Sequence, residues 1–187
     1  VASHSLGRVS GDFGADSTWL ETANQAAGTF FYILQKELLE LVFLHLSRLT
    51  DSPAIGLRKN LSVTRLQALV KPELQAELSN LTAKALDAAA FARDWRNRHI
   101  AHKDLPLALG DQTALPLKPA SQLAVEEALK PPNDLLNAID LSYNDATTMF
   151  TGTPPHNGAE RLLGLLQKGL EAEHREELES KGKWSLE

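Results

Sequence analysis

The chain has 187 residues, enough for one domain with a substantial core and short for two. With 34 Leu and 24 Ala against 6 Val and 4 Ile, strong helix formers far outnumber β-branched aliphatics, which argues against a sheet-based fold. A net charge of −5 and a pI near 5.7 argue against a broad electrostatic grip on nucleic acid or membrane, so an anionic partner has to be held by a local patch.

Cys is absent, which excludes disulfides and thiolate metal sites and fits a reducing compartment. No segment reaches the roughly 18 apolar residues of a membrane span, and the opening VASHSLGRVSGDFG lacks the apolar core of a signal peptide. A cytoplasmic location with no membrane association is expected. The first residue is Val1 rather than Met, so the natural start is not read from it.

Residues 1–16 are rich in Gly and Ser and are expected to be irregular. Thr18 and Glu21 form a capping box, in which each side chain satisfies a backbone N–H at a helix start. Apolar positions then recur at Trp19, Ala23, Ala26, Phe30, Leu34, Leu38, Leu41, His45 and Leu49, which is helical spacing. Gly28 costs about 1 kcal/mol relative to Ala and is expected to mark a bend. Asp51-Ser52-Pro53 ends the helix, and residues 53–61 read as a connection. Ser62 is placed to cap a short helix through Val70, stopped near Pro72.

The most regular segment follows. Leu74, Leu78, Leu81, Ala85, Ala88, Ala92, Trp95, His99 and His102 step by three and four, one seam of a helix of about 30 residues. Its Ala-rich middle allows a neighbouring helix to approach closely. Residues 103–119 carry three Pro and a Gly-Asp step and read as an extended loop, the one place where a short β-hairpin is expected. Ser121 caps a helix to Leu129, Pro131-Pro132 breaks it, and Asn133 or Asp134 caps another to Phe150. After a turn-rich linker, a last helix from Ala159 places Leu162, Leu163, Leu166 and Leu170 on one face and becomes polar beyond Glu171. The expected fold is all-α: an up-and-down helical bundle of two long and three or four shorter helices. It forms one domain over 17–180, with a tail at 181–187 in which Leu186-Glu187 resembles a cloning remnant.

Chemistry concentrates in residues 93–104, RDWRNRHIAHKD. This stretch brings Arg93, Arg96, Arg98 and Lys103 together with His99 and His102 in an otherwise acidic chain. Arg presents a planar fork for phosphate, and His both gives and takes protons near neutral pH, so the set suits cleavage of a phosphodiester. A solvated, charged helix end explains the same composition, since cations favour helix C-termini. Two details favour the chemical reading: His99 and His102 continue an inward seam where a polar group needs a partner, and an Arg-Asn pair precedes a His at the end of a long helix. A metal site at His99, His102 and Asp104 lacks a third strong ligand, so neither metal nor cofactor is expected. Arg48 and Asp51 read as a local ion pair or cap, and His45 as a core His.

Arg96-Asn97-x-x-x-x-His102 resembles the motif of HEPN domains (higher eukaryotes and prokaryotes nucleotide-binding): an Arg, usually followed by a polar residue, and then a His. The wider phrase RNRHIAHKD (96–104) is similar to the phage abortive-infection, AbiU-like branch of that family. So are the upstream phrases LSRLTDS (46–52) and NLS (60–62). The likeness spans roughly residues 20–150. It implies metal-independent RNA cleavage by a homodimer whose two motif helices build one composite site. Carried onto this chain, His102 is the general acid/base, Arg96 holds the scissile phosphate, and Asn97 orients the phosphate or the His. Arg98, His99, Arg93 and Lys103 are secondary candidates for substrate contact. RNA and a cognate antitoxin or regulatory protein are the partners implied. The competing readings are a non-catalytic HEPN-like module that binds RNA, nucleotide or protein, and a structural dimer whose patch is paired away by Asp94, Asp104 and Glu126-Glu127. One geometric difficulty remains. Arg96 and His102 lie about 120° apart around a straight helix, whereas Arg98 and His102 share a face. Hence the helix ends or bends before His102, the site borrows across a dimer axis, or Arg98 takes part.

Overall fold

The structure, a computed structural model, describes residues 17–150 and 158–184, with side chains described to Lys181. About three quarters of it is helical, and the all-α expectation holds. The elements in order are α1 (Ser17–Leu49), a two-stranded hairpin β1 (Ala54–Ile55) and β2 (Arg58–Lys59), a 3-10 segment (Val63–Leu69), α2 (Pro72–Ala88) and α3 (Ala90–Trp95). A π segment (Arg96–Ile100), α4 (Leu105–Ala108), α5 (Gln122–Asn144) and α6 (Ala159–Trp184) follow. Residues 1–16, with His4, and residues 151–157, with His156, lie outside the described residues, as does the Leu186-Glu187 end. The chain divides into two compact units, one of residues 1–37 with 152–187 and the other of residues 38–151.

In the first unit α1 begins at Ser17, one residue before the predicted cap, and Thr22 Oγ donates back to the Thr18 carbonyl at 2.9 Å. The expected bend appears at Ala27, beside Gly28, where the backbone leaves helical geometry. Thr22 and Ala23 are buried, and Leu163, Leu166 and Leu170 of α6 are half-buried, while Leu162 is exposed. The polar end of α6 is solvated, as its composition requires, and carries the exposed His174.

The second unit holds two apolar clusters. One gathers Phe43 and Leu46 of α1, Phe91 and Ala92 of α3 and Ala128 of α5, with Trp95 and Ile100 packed on it. Phe43 is the centre: its ring meets Phe91 edge-on at 5.5 Å and Trp95 at 5.3 Å. The other gathers Val63, Leu78, Ala85 and Leu135, joining the 3-10 segment, α2 and α5. Ala85, Ala89, Ala92 and Ala128 are fully buried, so the small residues of the Ala-rich stretch do sit at close helix packing.

Five expectations need correction. The core face of α1 in this unit is Phe43, Leu46 and Ser47, not Leu38, Leu41 and His45, which are exposed; the segment is apolar on nearly every side, so periodicity does not single out one face. The predicted helix over 74–102 is interrupted at Ala89 and becomes a π segment at Arg96, and Pro72 opens α2 rather than only closing the preceding segment. The hairpin lies at 54–59, pairing Ala54 with Lys59 and Ile55 with Arg58 around Gly56 at φ +58. Residues 103–119 instead contain α4, capped by Asp104, whose carboxylate accepts from the Leu107 N–H at 3.2 Å.

Pro131-Pro132 does not break α5, whose start is capped as predicted by Ser121 Oγ. Pro132 is buried, as are Ala128 and Leu135 of the same helix, and the burial of α5 outweighs a local cost of about 3 kcal/mol. Lastly, α5 stops at Asn144 rather than Phe150. Asp145 takes the left-handed conformation at φ 51, and the Thr148 N–H returns to Asn137 Oδ1 at 2.7 Å. Phe43→Ala should lower the unfolding free energy by about 3–5 kcal/mol in urea titration. By contrast, Leu57→Ala, at a fully exposed position, should change it by less than about 0.5 kcal/mol.

Candidate active site

The site is built where three pieces of the second unit meet: the end of α1 with its hairpin, the π segment, and residues 104–118. The aromatic packing on Phe43 sets the start of the π segment by seating Trp95, whose indole N–H donates to the Lys118 carbonyl at 2.8 Å. Asp94 accepts from the Lys118 N–H at 3.0 Å. The chain then widens its turn. The Ala101 N–H reaches back five residues to the Arg96 carbonyl at 2.8 Å, and helical structure ends at Ile100. Of the three ways out of the geometric difficulty, the first is realised: the helix ends before His102. Such widened turns occur often at functional sites.

Arg96 is held on two sides. Its Nη1 donates to Asp51 Oδ1 at 2.7 Å and its Nε to Asn97 Oδ1 at 3.1 Å, while Nη2 has no partner among the described residues. The Arg96 and Asp51 side chains are 24% and 25% exposed, so the pair is mostly out of water. Arg93, one turn earlier, donates from Nη1 to Thr50 Oγ at 2.9 Å and from Nη2 to the Leu86 carbonyl. Burial, and then the charge of Arg96, pull the Arg93 pKa below the usual arginine value, while Asp51 and Asp87 act in the opposite direction. Asp51 thus pairs directly with Arg96 alone and acts on Arg93 only as a more distant charge.

Arg98 is used differently. Its Nε donates to Asp104 at 3.2 Å, its Nη1 to Asp94 at 3.4 Å and weakly to the Pro116 carbonyl, and its Nη2 to the Leu115 carbonyl. The hydrogen bond to Asp104 is the main cause of a raised Arg98 pKa. With all three nitrogens occupied, Arg98 ties residues 104–116 to the helix end. His99 Nε2 stands 3.7 Å from Glu40 Oε1, and its ring lies edge-on to Trp95 at 5.3 Å. His102 and Lys103 are exposed, and neither has a hydrogen-bond or ion-pair partner among the described residues. A cleft of about 700 Å³ is lined by Trp95, Arg98, His99, Lys103, Asp104 and Leu107; Arg96, Asn97 and His102 are not part of its lining.

The structure therefore brings Arg96 and Asn97 together and leaves His102 and Lys103 open just past them. It turns Arg98 to packing and His99 toward α1. His99, His102 and Asp104 do not converge, and among the described residues no group of three His, Asp or Glu is arranged for a metal ion. The patch is partly neutralised, by Asp51, Asp94 and Asp104; Glu126 instead accepts from Gln122 at 2.8 Å. Sequence reasoning missed Asp51. It pairs with Arg96 rather than with Arg48, and its partner lies 45 residues away, beyond the reach of local spacing rules. The signal was present only in the phrase LSRLTDS.

Among the described residues, no helix is long and apolar enough to cross a membrane. No curated protein and no solved structure matches the chain. A family model described as AbiU2, of the HEPN type, matches residues 20–162, which takes in the clamp around Asp51, the Arg96-to-His102 motif and all of α5. The match covers more than half of the chain, and the protein belongs to the AbiU2 family of HEPN domains.

Proposed function

We propose that this HEPN domain is a metal-independent endoribonuclease of a phage-defence or toxin system, acting in the cytoplasm as a homodimer with a composite site of Arg96, Asn97 and His102. The observation that carries the reading is Arg96. Its guanidinium is fixed by Asp51 and Asn97 and keeps Nη2 for a ligand. A guanidinium oriented in advance suits one non-bridging oxygen of a phosphodiester.

In the proposed reaction the ribose 2′-hydroxyl attacks phosphorus and the 5′-oxygen leaves, which yields a 2′,3′-cyclic phosphate and a free 5′-hydroxyl. His102 takes the 2′-hydroxyl proton, and a second copy of His102 returns a proton to the departing oxygen. Arg96 stabilises the charge that grows on the phosphoryl oxygens. Asn97, whose Oδ1 accepts from Arg96, offers its amide N–H groups to the same phosphate. Lys103 adds an unpaired cation for the flanking backbone.

The homodimer supplies what a single chain lacks. A catalytic base usually has a neighbour that orients it, and His102 has none within the described residues. A two-fold axis near this end of the bundle brings two Arg96–His102 sets into one groove. Leu38, Leu41 and Val42 of α1, between 38% and 51% exposed, are apolar surface for a second copy to cover. The unpartnered His102 also favours a second reading, a non-catalytic module that binds RNA, nucleotide or a regulatory protein such as an antitoxin.

With a single-stranded RNA pool, His102→Ala should slow cleavage by about 10²–10⁴-fold, and Arg96→Ala by a comparable factor, with both proteins still folded by circular dichroism. Cleavage should survive EDTA, fail on DNA and on RNA carrying 2′-O-methyl groups, and weaken as salt rises. Full activity of His102→Ala, or activity lost to EDTA and restored by a divalent ion, excludes the mechanism; a wild-type dimer that cleaves nothing favours the binding module. Sedimentation at high micromolar concentration should show a dimer, and a monomer there counts against the composite site. Arg98→Ala should act through packing instead: amide exchange across 104–118 should speed up and the melting temperature should fall, with any loss of cleavage following the folded fraction.

A further inference from the structure

We infer that Asp51 is the positioning residue of the site: it fixes the guanidinium of Arg96, and the hairpin and the 3-10 segment hold Asp51 in place for that task. The inference rests on the nuclease reading of Arg96 and extends it to residues that lie far from the motif in sequence.

The turn that carries Asp51 is bound at several points. Thr64 Oγ donates to the Asp51 carbonyl at 2.7 Å, and Ser62 Oγ lies 2.7 Å from Thr64 Oγ. The Asn60 side chain donates to the Ser52 carbonyl at 2.8 Å, and its N–H to the Pro53 carbonyl at 3.0 Å. On the other side, Thr50 Oγ donates to the Leu46 carbonyl at 3.0 Å and accepts from Arg93. Thr50 and Ser62 are buried, and the Thr50 bond to Leu46 is shielded from competing water; the Thr64 bond to Asp51 is partly buried, and the Asn60 bond to Ser52 is exposed. The carboxylate of Asp51 therefore leaves a backbone fixed on both flanks.

That arrangement gives the two upstream phrases a shared purpose. LSRLTDS contributes Thr50, Asp51 and Ser52, and NLS contributes Asn60 and Ser62. Neither phrase holds a residue of the proposed chemistry, yet together they build the clamp that ends on Arg96. A solvated Arg samples many rotamers, and ordering it at the moment of phosphate binding costs entropy. Asp51 removes that cost before RNA arrives and leaves Nη2 as the edge presented.

The test compares single-turnover cleavage and arginine side-chain NMR in the full-length protein. Asp51→Ala should slow cleavage by about 10- to 100-fold, chiefly in kcat, since misplacement of a charge-stabilising group by about 1 Å has that effect. Asp51→Ala with Arg96→Ala should be no slower than Arg96→Ala alone, because Asp51 acts only through Arg96. Asp51→Glu should recover part of the rate. In ¹⁵N spectra at low temperature the Arg96 Nη–H signals, identified by their absence in Arg96→Lys, should be separated and protected in the wild type, where Nη1 donates to Asp51, and should average and exchange with solvent in Asp51→Asn. An Asp51→Ala protein as fast as wild type, losses that multiply in the double variant, or an Arg96 signal unchanged in Asp51→Asn each overturn the inference. The spectra need no catalysis: if the wild type cleaves no RNA, the nuclease reading fails while the NMR comparison still decides the role of Asp51.

Discussion

A guanidinium that is three-quarters withdrawn from water needs a fixed counter-charge, and in this protein the need is met across the fold rather than along the helix. Arg96 stands at the end of α3 and Asp51 at the end of α1. Two unit charges near a protein surface attract by about 4 kcal/mol at 4 Å, but their desolvation offsets most of that gain. The pair is therefore a weak source of stability and a strong source of geometry. It fixes where α1 ends relative to the π segment. Arg93 repeats the pattern one turn earlier, with Thr50 and a backbone carbonyl in place of a carboxylate.

Much of the fold was legible because composition and capping act locally. The Leu and Ala excess announced the helices, Ser121 announced the start of α5, and Gly28 announced the bend in α1. Several of the differences arise where tertiary contacts override local preference. Pro131-Pro132 is a breaker in isolation and is tolerated here, where Pro132 is buried and α5 packs on α2 through Leu135. The break at Ala89 carries no Gly or Pro to mark it. The face of α1 was misjudged because Leu38, Leu41, Val42, Phe43 and Leu46 surround the helix, and only the aromatic partners Phe91 and Trp95 select Phe43. The start of α4 is encoded locally: Asp104 followed two residues later by Pro106 is a cap with Pro in the first turn, within a segment whose three Pro otherwise favour a loop.

The site was legible in its linear part and opaque in its folded part. Arg96, Asn97 and His102 form one phrase, and the proposed chemistry is read from their types. The roles of Arg98 and Asp51 follow from partners 17 and 45 positions away, and no periodicity encodes those distances. Three arginines within six residues look equivalent in sequence. The structure separates them by what they touch: one shared with a buried hydroxyl, one tied to carbonyls, and one that keeps a free edge.

The position of His102 completes the separation. On a continuous helix it would lie about 120° around the axis from Arg96. The π segment removes that constraint by ending the helix. The Ala101 N–H bonds to the Arg96 carbonyl on one side, the Asp104 N–H bonds to the Arg98 carbonyl at 3.0 Å on the other, and His102 sits on the bend between them. Its backbone is therefore tethered within two residues in both directions, while its imidazole has no partner among the described residues. A side chain with a held backbone and an unoccupied ring is suited to a partner that comes from outside the chain. On the proposed reading, a second copy would supply one such partner and a phosphodiester bound at Arg96 the other. This geometry explains why the motif lies at the end of a helix rather than in its middle: only there can Arg96 be anchored inward while His102 stays open.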